Sequence, residues 1–263
     1  MTTTHAFFLG VLQGITEFFP VSSSGHLILA ETFLHVRVDP LSMQGFNILL
    51  HAGTLLALLL CYAKQWRRIF LSPFHHEAAH SRLFLLLIIA TIPGAVAGFL
   101  LEERIAAHLS SVSSVAFSFF VTAIILLLAE RADQVHPMEQ LTWLQVLFVG
   151  IAQACALVPG ISRSGSTIAV ARFFRIERKD ALDFSFLLAA PIIAGATAVS
   201  LWQVLQGTIL LPGKEVVFVG FLSSFIMSVL AIRFLRSFVQ RHSFSCFAWY
   251  LVAMGAFLFT FGL

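Results

Sequence analysis

The chain has 263 residues, of which 59% are hydrophobic and only 11% carry a charge. Soluble domains contain about 25% charged residues, so this composition excludes a soluble domain and indicates a polytopic membrane protein. The formal net charge of +3 says little by itself. As partners we expect membrane lipid and no nucleic acid.

The first apolar region, residues 6–34, is interrupted by the polar run Ser22-Ser23-Ser24-Gly25-His26. The half-segments on either side have about 10–15 residues, whereas crossing the hydrocarbon core takes about 20. Irregular backbone survives at membrane depth only where it is buried in protein or lines a wet cavity. The pattern therefore predicts a re-entrant helix–loop–helix hairpin, which enters and leaves by the same face.

Three stretches that are long enough to span a membrane follow, at 45–62, 83–101 and 112–129. We interpret the connection at 63–82 as a loop. Asn47, His51 and Thr54 share one face of the first span. These side chains either line a cavity or join neighbouring helices through hydrogen bonds.

A second interrupted region, residues 143–174, repeats the first. Its polar loop reads Pro159-Gly160-Ile161-Ser162-Arg163-Ser164-Gly165-Ser166-Thr167. Five residues of the first copy have identical counterparts in the second, namely Gly10 and Gly150, Gln13 and Gln153, Ser22 and Ser162, Ser24 and Ser164, and Gly25 and Gly165. Paired interrupted segments in the two halves of a membrane protein are the best sequence pointer to its binding site.

Three more spans, at 184–205, 216–235 and 244–262, complete the chain. Asp183, directly before the first of them, is interpreted as a helix-capping carboxylate. Each half thus has one hairpin and three spans, and because three is odd the second half begins on the opposite side of the membrane.

The predicted fold is an all-α integral membrane protein with inverted repeats, each consisting of one re-entrant helix–loop–helix hairpin plus three transmembrane helices. Residues 1–263 form a single membrane domain, with repeat one at 1–130 and repeat two at 141–263. The hairpins enter from opposite faces, so their loop tips meet near the midplane, as in many transporter folds.

The positions of Lys and Arg predict the orientation. This topology puts 12 of the 16 on one face, namely Lys64, Arg67, Arg68, Arg82, Arg131, Arg172, Arg175, Arg178, Lys179, Arg233, Arg236 and Arg241. The opposite face has Arg37, Arg104 and Lys214. The basic face is therefore predicted to be cytoplasmic, and both termini to lie outside.

Arg163 is the remaining basic residue, and it lies in the second loop directly before a helical run. An arginine at membrane depth usually faces a cavity and has a partner. Helix N-termini favour anions, and the planar guanidinium matches phosphate oxygens. Arg163 is thus predicted to bind an anion, helped by Ser162, Ser164 and Thr167. The alternative is an ion pair with Glu17 that only closes the fold.

The first loop offers a second anion site, because it too precedes a helical run. Ser22 and Ser24 are candidate phosphate ligands, although serine is also a common helix cap. Ser23 and His26 lie three residues apart in this loop.

Glu17 lies four residues after Gln13, on one face of the first half-helix. Its carboxylate can hold a divalent cation, accept a proton or pair with Arg163. Carboxylate oxygens suit Mg²⁺ or Ca²⁺, which bind phosphate substrates through few protein ligands. Gln13 can add a carbonyl oxygen to such a site, or form a helix-packing hydrogen bond.

At these residues the sequence resembles a known family. The run Gln13-Gly-Ile-Thr-Glu17-Phe-Phe-Pro20-Val-Ser-Ser-Ser-Gly25-His26 is similar to the E/Q-xxx-E and PVSSxGH signatures of the undecaprenyl-diphosphate phosphatases, once described as bacitracin-resistance proteins. The run from Pro159 to Thr167 is similar to that family's PGxSRSxxT motif, and the resemblance extends along nearly the whole chain.

This resemblance implies an enzyme of the bacterial inner membrane that removes the terminal phosphate of a C55 isoprenyl diphosphate, which recycles the lipid carrier for peptidoglycan. It also implies a divalent cation and a site open to the outer face. Gln13 stands where some members have glutamate, so the charge of a metal site at this position differs.

Several mechanisms fit these residues. Arg163 clamps the diphosphate, and Glu17 holds the cation or orients the nucleophile. The nucleophile is Ser23 with His26 as its base, His26 itself, or water activated by His26. The rival function is a polyprenyl-phosphate flippase, because inverted repeats also build transporters. We further expect a homodimer.

Overall fold

The computed structural model describes residues 1–36, 38–75 and 78–260, so Arg37 of the charge count lies outside the described part. Within these ranges the chain is helical and contains no β-strand. In chain order the helices are α1 Thr3–Thr16, α2 Ser23–Phe33, α3 Pro40–Cys61, α4 Ala63–His75, α5 Ala78–Leu109, α6 Val112–Glu130, α7 Trp143–Cys155, α8 Arg163–Phe173, α9 Arg178–Leu205, α10 Lys214–Phe238 and α11 Ser245–Thr260.

Both interrupted regions form the predicted pairs of short helices. α1 and α2 have 14 and 11 residues, and α7 and α8 have 13 and 11. At 1.5 Å per residue, each is shorter than a hydrocarbon core of about 30 Å. A polar loop separates the members of each pair, as the two Ser/Gly runs predict.

In the described part of the chain, five helices are long and apolar enough to cross a membrane, namely α3, α5, α6, α9 and α10. The chain is therefore a multi-pass membrane protein. α11 covers the sixth predicted span and is apolar, but its described part has 16 residues, fewer than the other five.

The prediction of a loop at 63–82 is wrong, because this segment contains α4 and the start of α5. α4 is amphipathic. Trp66 and Ile69 are buried, whereas Lys64, Arg67 and Arg68 are exposed. Apolar residues three apart give a helix one buried stripe, and the basic residues between them obscured this period in the sequence.

The prediction that Asp183 caps a helix is also wrong. α9 begins at Arg178, so Asp183 lies in its second turn and is buried. Its carboxylate accepts a short hydrogen bond from the Tyr62 hydroxyl. It also pairs with Arg236, whose Nε lies 3.1 Å from Oδ1. The carboxylate therefore joins α3, α9 and α10.

The ends of several helices are tied together on the side that carries most of the basic residues. The buried Arg172 donates from Nη1 to the carbonyl of Ile176, at 2.5 Å, and to that of Asp133, at 3.2 Å. Arg178 binds Glu130 through Nε and Nη2, and Glu130 accepts the backbone N–H of Phe244 at 2.9 Å. These contacts bring the ends of α6 and α8 and the starts of α9 and α11 together.

The repeated glycines are explained by helix packing. α1 packs against α10, and α7 packs against α5. A Cβ on Gly10 would lie 2.6 Å from the carbonyl oxygen of Gly220, and one on Gly150 would lie 2.5 Å from that of Ala90. Small residues allow membrane helices to approach closely, so the same position in each half lets a short helix lie against a span.

Candidate active site

The two loop tips meet in the interior of the protein. Ser164 of the second loop donates its hydroxyl to the carbonyl of Phe19 in the first, at 2.9 Å. A Cβ on Gly25 would lie 3.0 Å from the Cα of Gly160. Glycine is needed at both positions for the tips to be this close, and Gly160 also has a φ of +92°.

The second helix of each hairpin starts with the same serine cap. The Ser22 hydroxyl accepts the N–H of Gly25 at 3.4 Å, and the Ser162 hydroxyl accepts that of Gly165 at 3.0 Å. Ser23 and Arg163 are therefore the first residues of α2 and α8. The first N–H groups of a helix have no intrahelical partner and attract anions.

Glu17 is the point at which the two helix starts converge. Its Oε1 accepts Nη2 of Arg163 at 2.7 Å, and its Oε2 accepts the Ser23 hydroxyl at 2.7 Å. Gln13 donates Nε2 to the same Oε2 at 3.0 Å. The Glu17 side chain is only 6% exposed and that of Arg163 15%. The predicted pair of Glu17 and Arg163 thus exists, and Glu17 also binds Ser23 of its own hairpin.

His51 of the first span belongs to this cluster. Its Nδ1 lies 3.0 Å from Nε2 of Gln13 and 3.5 Å from Oε2 of Glu17. The imidazole is 37% exposed, so it lies at the opening of an otherwise buried site. Asn47 and Thr54, on the same face, bind Glu31 and the His51 carbonyl and stay outside the cluster.

His26 is not brought to Ser23. Its Nδ1 lies 2.7 Å from the carbonyl oxygen of Ser22, and its Nε2 lies 2.8 Å from the hydroxyl of Tyr250. A carbonyl only accepts, so Nδ1 carries the proton, and in the neutral imidazole Nε2 accepts the Tyr250 O–H. The tautomer is thereby fixed with the basic nitrogen at Nε2. In this geometry the Ser23 hydroxyl donates instead to the carboxylate of Glu17.

The other predicted phosphate ligands already bond within the protein. Ser22 and Ser162 cap their helices, and Ser164 binds Phe19. The Thr167 hydroxyl lies 2.7 Å from that of Ser185 and donates to the Arg163 carbonyl at 2.9 Å. Of this set only Ser24 is exposed. These hydroxyls therefore shape the two loops.

Ser22 is also conformationally strained. Its φ is +71°, a value that non-glycine residues adopt rarely and that costs about 1–3 kcal/mol. Ser22 directly precedes Ser23, whose hydroxyl donates to Glu17.

Sequence reasoning missed Tyr250, Ser185 and Thr122. Thr122 of α6 accepts the N–H of Ser162 at 3.1 Å and so supports the second loop. Arg163 donates Nη1 to the Ser185 carbonyl at 3.5 Å. Tyr250 could have been identified as a candidate from the sequence, because the chain has only two tyrosines and this one interrupts the last apolar stretch.

The predicted cation ligands, Glu17 and Gln13, are adjacent. Oε1 of Gln13 is buried and has no hydrogen-bond partner. In the described ranges, no three His, Cys, Asp or Glu side chains gather where they could hold a metal ion. Mg²⁺ commonly uses one or two carboxylates together with substrate phosphates. The residues present therefore fit a cation that arrives with a phosphate substrate.

Comparison with known proteins agrees with this chemistry. The family model described as bacitracin resistance protein BacA matches residues 6–257. The undecaprenyl-diphosphatase of Rubrobacter xylanophilus is 38% identical over 260 residues, which cover 96% of this chain and 95% of that protein. The undecaprenyl-diphosphatase of Nitrosospira multiformis is 38% identical over 94% of this chain and 90% of that protein. Undecaprenyl-diphosphatase 1 of Burkholderia ambifaria is 39% identical over 98% of this chain and 94% of that protein. With a match over nearly its whole length, the chain belongs to the bacitracin resistance protein BacA family.

Proposed function

We propose that this chain is an integral membrane phosphatase that hydrolyses undecaprenyl diphosphate to undecaprenyl phosphate and inorganic phosphate. This reaction recycles the lipid carrier for cell-wall synthesis. The observation that carries the proposal is the convergence of two helix N-termini, Arg163, Ser23 and Glu17 in a chain whose relatives are named undecaprenyl-diphosphatase.

Arg163 binds the diphosphate in this proposal. One of its terminal nitrogens contacts Glu17, and the other has only a long contact with Ser185. The guanidinium therefore retains N–H donors for phosphate oxygens. Preorganised donors of this kind stabilise the charge that develops on a transferring phosphoryl group.

Ser23 is the proposed nucleophile, with Glu17 as the proton acceptor. As the Ser23 oxygen forms a bond to the terminal phosphorus, its proton moves 2.7 Å to Oε2 of Glu17. The phosphoanhydride bond breaks, and undecaprenyl phosphate leaves with the bonding electron pair. Water then attacks the phosphoserine, and its proton goes to Nε2 of His26 once Tyr250 releases that nitrogen. The bond between the Ser23 oxygen and phosphorus breaks, Glu17 returns its proton to the Ser23 oxygen, and inorganic phosphate leaves.

A divalent cation, Mg²⁺ or Ca²⁺, completes the proposed site. Glu17 and Gln13 would hold it. When bound, it supplies positive charge that neutralises the phosphoryl oxygens.

The proposal is tested by phosphate release from undecaprenyl diphosphate by purified protein in detergent. We expect release that stops with a chelator and resumes with Mg²⁺ or Ca²⁺. Glu17→Gln, which keeps the side-chain shape but loses the charge, should release little. Absence of release by folded wild-type protein with the cation present would contradict the activity.

The nucleophile is tested by rapid acid quench with substrate labelled at the terminal phosphate. We expect label on Ser23, and none in Ser23→Ala, whose turnover should fall at least 100-fold. Ser113→Ala, which removes an exposed hydroxyl in the first turn of α6 and outside the site, is the matched control and should stay active. Label on His26, or substantial turnover by Ser23→Ala, would demote Ser23 to a binding residue while the phosphatase assignment stands.

We also propose that the halves are inverted repeats in a bacterial inner membrane, with both termini outside and the active site open to the outer face. The equivalent order of helices supports this, since α1 lies on α10 as α7 lies on α5. Homodimerisation stays a prediction, to be measured by light scattering of the purified protein.

The similarity of the two halves also favours a second candidate function, a polyprenyl-phosphate flippase, because inverted repeats also build transporters. Phosphate release in detergent identifies an enzyme, because no membrane remains to be crossed. Movement of polyprenyl phosphate between leaflets of proteoliposomes, by a Ser23→Ala variant that releases no phosphate, would identify the transport function.

A further inference from the structure

A cavity lies away from the loop tips, between α3 and α10. Its volume is about 580 Å³. Apolar side chains that include Leu60, Phe225 and Val229 form most of its wall, and Cys61, Arg233 and Arg236 line it at the ends of the two helices. None of the residues of the proposed active site borders this cavity.

One of the two arginines is held in place. Nε of Arg236 lies 3.1 Å from Oδ1 of the buried Asp183. Its guanidinium also lies over the Tyr62 ring, 5.0 Å from the ring centre. The contact with the ring face adds a cation–π attraction. Arg236 is therefore oriented before any ligand binds, yet its side chain remains 39% exposed.

Arg233, one helical turn earlier, is exposed. None of the salt bridges among the described residues includes it. Among the described residues, Asp183 is the one carboxylate that forms a salt bridge with either arginine, and it offsets a single positive charge. The cavity therefore keeps one uncompensated positive charge at its polar end.

The depth of the two arginines matches a lipid headgroup. Cys61 is the last residue of α3, and Arg233 and Arg236 lie in the last two turns of α10, which ends at Phe238. The amphipathic helix α4 starts directly after α3, with its basic residues exposed. From this level the apolar wall runs back along both helices. Basic pockets between membrane helices bind anionic lipid headgroups.

We propose that this cavity binds one anionic glycerophospholipid, with its phosphate between Arg233 and Arg236 and an acyl chain along Leu60 and Phe225. The lipid fills the gap between α3 and α10 and bridges them. It is distinct from the substrate of the active site and does not depend on the proposed function.

The first test uses delipidated protein in a neutral detergent. Phosphatidylglycerol should raise the unfolding temperature in a concentration-dependent way, whereas phosphatidylcholine with the same acyl chains should not. Inorganic phosphate alone should have no effect at equal concentration. Equal stabilisation by phosphatidylcholine, or full stabilisation by free phosphate, would overturn the proposal, as would stabilisation by undecaprenyl phosphate alone.

Arg233→Gln provides the variant, since Arg233 has no recorded salt bridge to lose. Arg233→Gln removes a charged hydrogen-bond donor to the phosphate, so the concentration of phosphatidylglycerol for half-maximal stabilisation should rise by about 10- to 100-fold. Arg241→Gln is the matched control, because Arg241 is exposed beyond the end of α10 and outside the cavity. An equal effect of both variants would mean that the lipid responds only to net charge.

A second readout needs no variant. Cys61 lines the cavity and is only partly exposed, whereas Cys246 is exposed elsewhere. Phosphatidylglycerol should slow maleimide labelling of Cys61 at least severalfold, measured on its peptide, and leave Cys246 unchanged as an internal control. Unaltered labelling of Cys61 at saturating lipid would rule out occupancy of the cavity.

Discussion

Glu17 accepts three hydrogen bonds, from Arg163, Ser23 and Gln13, that come from both loops and from its own helix. Removing one partner of a buried ion pair leaves an uncompensated charge, which costs about 3–5 kcal/mol. The pair of Glu17 and Arg163 therefore stabilises the junction of the hairpins and orients the proposed nucleophile. The structural and the catalytic interpretation of this pair are compatible.

Arg163→Lys is expected to fold and to lose about 100-fold in kcat. Lysine retains the charge but lacks the planar fork that contacts Glu17 and leaves donors for phosphate. Loss of one preorganised donor typically lowers kcat by about 100- to 1000-fold. Phosphate release and thermal unfolding of the purified variant measure both effects. Arg175→Lys, at an exposed ion pair with Asp133, is the matched control and should be normal. Near-normal turnover of Arg163→Lys would exclude the clamp.

Tyr250→Phe tests the link between α11 and His26. The ring, which stacks on the imidazole with centres 5.7 Å apart, is retained, and only the hydrogen bond to Nε2 is lost. A hydrogen bond is worth about 1 kcal/mol net, so kcat should fall roughly three- to tenfold while KM stays constant. Trp249→Phe changes an exposed neighbour and serves as control. An unchanged kcat would mean that Tyr250 has no positioning role.

At the scale of the elements, the hairpins depend on close backbone contact at their tips. Gly160 combines a positive φ with a tightly filled space, since a Cβ would lie 2.6 Å from that of Ser118 and 2.7 Å from the Val115 carbonyl oxygen. Serine caps and α6 hold the rest of this loop in position.

Gly160→Ala should therefore lower the free energy of unfolding. The strain of a positive φ in alanine costs about 1–3 kcal/mol, and the steric overlap of the added Cβ costs a similar amount. Gly207→Ala is the matched control, because its φ is +75° but nothing lies within 4 Å of the added Cβ. Thermal unfolding in detergent should show a clearly larger loss for Gly160→Ala, together with reduced phosphate release. Equal losses would show that the loop tip has room to relax.

At the scale of the whole molecule, the basic side is fixed by long-range contacts. Arg172, Arg178 and Glu130 tie the ends of four helices together there. Lys64, Arg67 and Arg68 are exposed on α4, which starts directly after Tyr62, the hydrogen-bond partner of Asp183 in α9. The positive-inside rule predicts that such a side faces the cytoplasm, and this orientation stays a prediction.

Labelling of intact cells tests this orientation. Tags at both termini should react from outside. A cysteine introduced at Arg68, in a background in which Cys61, Cys155 and Cys246 are replaced, should react with an impermeant maleimide only after the membrane is opened. A single cysteine is used at Arg68 in place of a tag, because an inserted tag would interrupt α4. Termini on opposite sides would mean that the halves are not inverted.

The sequence by itself determined the membrane class and the two short-helix hairpins, and it named the pair of Glu17 and Arg163 as one of two alternatives. These follow from composition, from local period and from a repeated motif, which all act over a few residues. It also offered a helix cap as the alternative role of Ser22, because capping is a local hydrogen bond. The cap at Ser162, which was predicted to be a phosphate ligand, became evident only in the structure.

Only the tertiary structure decided which partners the buried polar groups have. Tyr250 reaches His26 across 224 positions of chain, and Tyr62 reaches Asp183 across 121. Ser23 and His26, three residues apart, instead point to different partners, because Ser23 begins α2 while the ring of His26 bonds back to Ser22 and across to α11. Sequence spacing specifies which face of a helix a residue occupies. Which other helix covers that face depends on how all the helices pack at once, and no local pattern encodes it.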